Sequence, residues 1–248
     1  MLLALALLVP FACAQPSADK AKHGQDSAQE TTRILIVTGG HPFEAESFFA
    51  MFDRMKGIQW QTAKFGSGAE ALLNEEAARN FDVIVYYDMN QNRGDWTPGW
   101  VKMVHDGKPT VFLHHSLGSY ADWPKYEDIL GGHANFFPKI VPGIPNATYH
   151  EGLKYTVHIK DHKNPITRGL PDFEVVDEVY NHYIVSRHVH TLLTVDNPES
   201  GKIVGWTHRY GRARVVYILP GHGPGSYTNP TYEELVRRAI QWSAGRLH

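Results

Sequence analysis

The sequence predicts an α/β protein in which helices cover both faces of a mostly parallel sheet, with antiparallel strands added in the C-terminal half. Three observations carry that prediction. Near-continuous apolar runs, among them Ile34–Thr38, Phe81–Tyr87 and Val111–Leu113, read as strands buried on both faces. Amphipathic stretches of helical period separate them, the alternation that builds a parallel sheet. Beyond Tyr155 the apolar runs are joined by short turns, as antiparallel strands are.

Taken in order, the fold is expected to begin at Arg33, with a first strand over Ile34–Thr38 that ends in Gly39-Gly40-His41. Glu44 to Met55 reads as a helix, because Phe48, Phe49, Phe52 and Met55 recur at helical spacing. A second strand follows at Ile58–Phe65. Ser67 is expected to open one helix running to about Asn80, with Glu70 as its capping-box partner. The third strand, Phe81–Tyr87, runs into Asp88. A polar loop over Asn90–Gly99 contains Trp96 and precedes a helix to His105, and the fourth strand is Thr110–His114. From Tyr120 to Glu151 the rhythm breaks into an irregular excursion carrying Trp123, Gly131-Gly132-His133, Phe136-Phe137 and several prolines. Strands are then expected at Tyr155–Ile159, Glu174–Tyr180, Thr191–Val195, Ile203–Thr207 and Arg214–Leu219, before an amphipathic helix over Thr231–Ala244. Arg209, Arg212 and Arg214 around Gly211 read as solvated charge on a hairpin turn.

At 248 residues the chain suits one sizeable core. With 24 Lys and Arg against 26 Asp and Glu, the net charge of -2 gives no basis for nucleic acid as a main partner. Residues 1–14, MLLALALLVPFACA, match a signal-peptide core with a small-x-small cleavage site before Gln15. The run is too short and too early for a membrane span. Cys13 would anchor a lipoprotein only within a lipobox, which Pro10 and Phe11 fit poorly. The expectation is an exported protein, periplasmic or extracellular, with a flexible polar tether over 15–32 and a single domain over 33–248. Cleavage would remove Cys13, and with it any disulfide or thiol nucleophile.

In an open parallel sheet, ligands bind beyond the carboxyl ends of the strands where strand order reverses. With the order 2-1-3-4, that edge carries His41 after the first strand, Asp88 after the third, and His114, His115 and Ser116 after the fourth. The final strand delivers His222 in the same manner. The stretch Val111–Tyr120, VFLHHSLGSY, has the form of a nucleophile elbow, with Gly118 letting the chain turn without a Cβ clash. Side chains alternate along a strand, so His114 and His115 share one crevice only if the turn begins between them. This reading puts His114 in or against the site and His115 or Ser116 at the elbow.

The segments TGGHPFE (38–44), VFLHHSLGSY (111–120), LGGHANFFP (130–138), HKNPITRGLPDFEVVDEVY (162–180) and YGRARVVYILPGHG (210–223) resemble the ThuA-like, or trehalose-utilisation, family. The resemblance implies a flavodoxin-like fold of the class I glutamine amidotransferase type. It also implies a role in disaccharide metabolism, beside oxidoreductases that make 3-keto sugars. An amidotransferase elbow would put its cysteine at Ser116, and the His-Pro-Glu triad segment would fall on His222-Gly223-Pro224, where no acid follows. A serine and a histidine without the third, orienting member make a weak nucleophile system, and glutaminase activity is not expected.

Three readings follow. In the first, the crevice is an enzyme site for a sugar or keto-sugar, with His114 or His222 as general base, Ser116 and Asp88 among the catalytic groups, and His41, His115, Glu178 and Tyr180 holding hydroxyls. Trp96 and Trp123 would offer apolar faces to a pyranose ring. In the second, His41, His114 and His222, with Asp88 or Glu178, bind a divalent metal such as zinc. In the third, the chain is a non-catalytic carbohydrate-binding module on a degenerate amidotransferase-like fold. The expected partner is a small-molecule carbohydrate, a second copy of the chain is left open, and neither nucleic acid nor a membrane span is expected.

Overall fold

A computed structural model describes residues 31–137 and 146–248. The expected leader, with Cys13, and all but the last residues of the expected tether lie outside the described residues.

The chain runs β1 (Thr32–Gly39), α1 (Ala45–Arg54), β2 (Ile58–Lys64), α2 (Ala69–Leu72), α3 (Glu75–Ala78), β3 (Val83–Asp88), α4 (Thr97–His105) and β4 (Thr110–Leu113). A 3-10 turn over His114–Gly118 leads into α5 (Pro124–Leu130) and the short β5 (Gly132–His133). The second half comprises β6 (Thr148–Ile159), β7 (Phe173–Asn181), β8 (Ile184–Val185), β9 (His190–Val195), β10 (Ile203–Tyr210), β11 (Ala213–Ile218), α6 (Pro224–Tyr227) and α7 (Pro230–Ser243). Among the described residues, no helix is long and apolar enough to cross a membrane.

One nine-stranded sheet has the order β2-β1-β3-β4-β11-β10-β9-β6-β7. Its first five strands are parallel and the rest antiparallel. The strand order 2-1-3-4 is therefore the one the sequence suggested, and it turns back between β1 and β3. Strands β3 and β4 are buried along their whole length, and Ile34–Val37 of β1 are fully buried. That burial is why these segments read as unbroken apolar runs rather than alternating ones. Helix α1 packs Phe48, Met51 and Phe52 into the core, and Glu44 caps it by accepting from the Ser47 amide.

Several elements differ from expectation. The helix expected from Ser67 to Asn80 is two short ones, because Asn74 caps a second start by accepting from the Glu76 and Ala77 amides. Glu70 instead takes the Gly66 amide at 2.7 Å, so no capping box forms with Ser67. The excursion over 120–151 holds α5, β5 and the start of β6, which is far longer than its apolar C-terminal half suggested. The arginines of the last hairpin are tied down. Arg212 donates to the Asp106 carbonyl, and Arg214 donates to the Trp242 carbonyl while lying over that tryptophan's ring.

Although β7 lies at the end of the strand order farthest from β2, its residues 177–180 are all buried. Hydrogen bonds link this edge to His114 and to the 221–222 loop, at the carboxyl ends of β4 and β11. Side chains from opposite parts of the sheet order meet there.

Candidate functional site

The fourth strand stops one residue earlier than expected. His114 begins the turn with φ at +37°, an uncommon conformation for a residue with a Cβ. It is therefore His114, rather than His115 or Ser116, that occupies the strained position. Such a conformation costs roughly 1–3 kcal/mol and persists only where the surroundings over-determine it. Here the Tyr217 hydroxyl donates to the His114 carbonyl at 3.0 Å, and the Tyr126 hydroxyl donates to that of Ser116 at 2.8 Å. The ring is fixed as well, with Nδ1 2.6 Å from the Leu219 carbonyl. With the turn starting at His114, both histidine rings enter one crevice, their centroids 4.7 Å apart. Gly118 serves a different purpose from the one expected. Its φ is not positive, but a Cβ there would lie 2.7 Å from Met89 and 2.8 Å from Phe136.

Four side chains converge on this point. His114 Nε2 lies 2.8 Å from Glu178 Oε2 and 3.2 Å from His222 Nδ1, and His222 Nδ1 lies 3.1 Å from the same carboxylate oxygen. The Tyr180 hydroxyl is 2.9 Å from His114 Nε2. A ring nitrogen of His115 completes a group of four ligand-type atoms that all lie within 4.8 Å of one another. Facing a carbonyl, His114 Nδ1 must be the protonated nitrogen, so a neutral ring turns its Nε2 lone pair toward the carboxylate. Two acceptors at 2.8 Å are mutually unfavourable unless a positive charge is shared between them. The array is thus a socket for one cation, a proton in the simplest case.

Its electrostatics agree. Burial alone would raise the Glu178 carboxyl, yet hydrogen bonds from His114 and His222 hold it down at about 2. Hydrogen bonding to Glu178 raises His222 above the ordinary histidine value against the opposing effect of burial. His115 is pushed well below that value, first by burial and then by the neighbouring histidines. Both of its ring nitrogens are buried without a hydrogen-bond partner among the described residues. Sequence comparison with amidotransferases left His222 without an orienting acid, but the fold supplies one, Glu178, from β7.

The other expected site residues fall into two groups. His41 is exposed, and its ring stacks at a tilt on His115 with centroids 4.3 Å apart. It lines both a pocket of about 120 Å³ over the cluster and an adjoining cleft of about 550 Å³ with Phe43, Phe49 and Lys64. Ser116 and Asp88 are buried and face each other at 3.3 Å beneath the turn. Ser116 Oγ donates to the Tyr86 carbonyl at 3.0 Å, and Asp88 also accepts from Ser119 Oγ at 3.1 Å. This pair fastens the 3-10 turn to β3 and makes no hydrogen bond with the histidine cluster. Burial raises the Asp88 carboxyl to about 7.

Trp96 and Trp123 are not brought to the cluster. Trp96 packs against Phe65, Trp100 and Tyr120, and Trp123 packs against Trp100, Tyr120 and Tyr126. The pocket takes its aromatic walls instead from Phe136 and Tyr149, with Glu151 at its rim. The Phe136 ring lies 4.7 Å from that of Tyr180.

Sequence reasoning also passed over Asp177. Its carboxylate accepts from the Gly221 amide at 2.6 Å, the His222 amide at 3.0 Å and the Ser226 hydroxyl. The available signal was an adjacent acid pair, Asp177-Glu178, inside an otherwise apolar strand that ought to bury neither.

Comparison with known proteins places this geometry in a family. No curated protein sequence matches the chain. Among solved structures, a ThuA-like protein from Parabacteroides merdae superposes with a TM-score of 0.72 at 15% identity, over 88% of this chain and 92% of that one. Another ThuA-like protein, from Bacteroides uniformis, gives 0.65 at 18% identity, over 92% and 95%. A β-galactosidase from Bacillus circulans shares the fold at a TM-score of 0.52 and 10% identity, over 88% of this chain but 31% of the enzyme. The sequence profile of the ThuA family, described as trehalose utilisation, matches residues 33–243, so the chain belongs to that family and its membership points broadly to carbohydrate utilisation.

Proposed function

We propose that the protein is an enzyme of carbohydrate utilisation that processes a trehalose-type disaccharide or its 3-keto-glycoside in the pocket over the His114–His115–Glu178–His222 cluster. The observation that carries this reading is the cation socket itself. Three imidazoles from the turns after β4 and β11 and one carboxylate from within β7 are held together against the cost of burying ionisable groups. A binding module needs no such array, since hydroxyls and aromatic faces suffice to hold a sugar. In acid/base chemistry the shared proton would be exchanged with a sugar hydroxyl or carbonyl oxygen entering from the side of Phe136 and Tyr149. The pocket accommodates the reacting portion of the substrate, and the larger cleft beyond His41 gives room for the second ring.

Purified protein incubated with trehalose and with 3-keto-trehalose, with and without divalent metals, should convert at least one of them, with products followed by NMR. The variant His222→Ala should slow conversion by about a hundredfold or more. Unchanged sugars in every mixture, with binding of the sugar retained by His222→Ala, would replace the enzyme by a binding module.

A further inference from the structure

We propose that the His114, His115, Glu178 and His222 side chains form a binding site for a single zinc-class transition-metal ion. The argument begins with spacing. Bonds of ~2.0–2.1 Å at tetrahedral angles put neighbouring ligand atoms about 3.3 Å apart. His114 Nε2, Glu178 Oε2 and His222 Nδ1 stand 2.8, 3.1 and 3.2 Å from one another, so shifts of a few tenths of an ångström convert the triangle into one face of such a site.

The fourth group is His115. A neutral imidazole 1% exposed, with neither ring nitrogen hydrogen-bonded among the described residues, is a costly thing to bury. One of its nitrogens lies within 4.8 Å of the other three ligand atoms, and a metal bond would supply the missing partner. The acceptor conflict between His114 Nε2 and Glu178 Oε2 points the same way, because a divalent ion satisfies both lone pairs and also that of His222.

The supporting shell is built as well. His114 donates Nδ1–H to the Leu219 carbonyl, a hydrogen bond that fixes the tautomer and leaves Nε2 free to ligate. Asp177 holds the backbone that carries His222. Three imidazoles and one carboxylate select zinc, cobalt, nickel or iron over magnesium or calcium, which prefer oxygen. The ion would therefore compete with the proton of the acid/base reading. A substrate oxygen could approach it through the pocket under Phe136 and Tyr149.

Binding is read without substrate, so this proposal and the carbohydrate reading fail separately. Protein stripped with a chelator should take up one equivalent of Zn²⁺ by calorimetry. Loaded with Co²⁺, it should show the visible absorption of a nitrogen-rich, four- or five-coordinate site. His222 is the most exposed of the four ligands, with 27% of its side chain exposed, and so the least disruptive to remove; His222→Ala should bind Zn²⁺ at least about tenfold to a hundredfold more weakly. Glu178→Gln should do the same while keeping the shape of the side chain. Stripped wild-type protein that takes up no stoichiometric Zn²⁺, Co²⁺, Ni²⁺ or Fe²⁺ overturns the proposal, as does folded Glu178→Gln and His222→Ala protein with undiminished affinity. Stoichiometric uptake with neither sugar converted sustains the metal site and removes the proposed substrate.

Discussion

The Asp177 carboxylate accepts the Gly221 and His222 amides, at 2.6 and 3.0 Å, while its neighbour Glu178 takes the His222 ring at 3.1 Å. Two consecutive residues of β7 thus place the backbone and the side chain of one histidine. Asp177→Ala would leave two amides and the Ser226 hydroxyl without their acceptor, in a region where Gly221 and Ser226 are buried. Each unmet buried donor costs roughly 1–3 kcal/mol. We expect a loss of at least about 2 kcal/mol by urea denaturation, together with a large fall in sugar conversion. Asp177→Asn keeps one acceptor oxygen and should lose less on both measures. Full stability in the alanine variant would show that the 221–223 loop is held by other contacts.

Asp88 makes stability depend on pH. The carboxyl ionises near 3.8 when free and near about 7 in the fold, because burial disfavours its charged form. A folded-state value above the unfolded one means that the unfolded chain releases its proton first as pH rises. The contribution is therefore complete below 3.8, declines as pH rises to about 7, and is flat above that. At about 1.4 kcal/mol per unit, the decline amounts to a few kcal/mol. Asp88→Asn, which cannot ionise, should lack it. Urea denaturation of both proteins from pH 4 to pH 8 checks this: the variant should gain on the wild type as pH rises, and parallel curves would refute it.

The parallel half of the fold was legible because its strands are buried on both faces, and burial writes itself into sequence as apolar runs such as Ile34–Val37 and Val83–Tyr87. The histidines of the site were legible for a related reason. Each of His41, His114, His115 and His222 follows such a run, and parallel strands deliver their ends to one edge. What joins them was not legible. Glu178 was named beside them, but its contact with His114 was not foreseen: β7 lies four strands beyond β11 in the sheet order, and no local pattern encodes that meeting. Trp96 and Trp123 misled because aromatic residues in a polar loop look available, whereas these two pack around Trp100 and Tyr120. Ser116 misled because an elbow was counted from Gly118, when the strained residue is His114, two positions earlier than the serine.

Tyr180 separates placement of the histidine from its chemistry. Its hydroxyl lies 2.9 Å from His114 Nε2, and burial, with the Glu178 carboxylate beside it, keeps the phenol protonated, so it brings one O–H donor to the array. Tyr180→Phe keeps the ring that packs on Phe136 and removes only the donor. Stability should change by about 1 kcal/mol or less, the usual net worth of one hydrogen bond. Sugar conversion should fall by tenfold or more, in kcat rather than KM, if the donor tunes the reacting array. A change confined to KM would make Tyr180 a substrate-binding group instead.

Gly221 is where the loop after β11 must remain glycine. Its φ is +125°, and a Cβ there would stand 2.1 Å from the Tyr232 hydroxyl and 2.9 Å from the adjoining ring carbon. That hydroxyl is buried without a hydrogen-bond partner among the described residues, so it contributes a clash and no bond. Gly221→Ala should cost at least about 2 kcal/mol through backbone strain and overpacking combined. Tyr232→Phe alone should be neutral or mildly stabilising, since it removes an unsatisfied polar atom. The double variant should recover part of the loss, because the phenylalanine ring lacks the atom that the new Cβ meets first, while the φ strain remains. A double-mutant cycle in urea measures the coupling directly, and about 1 kcal/mol or more is expected for groups in contact. Strict additivity would mean that the cost of Gly221→Ala is backbone strain alone, and that the loop carrying His222 is positioned without reference to α7.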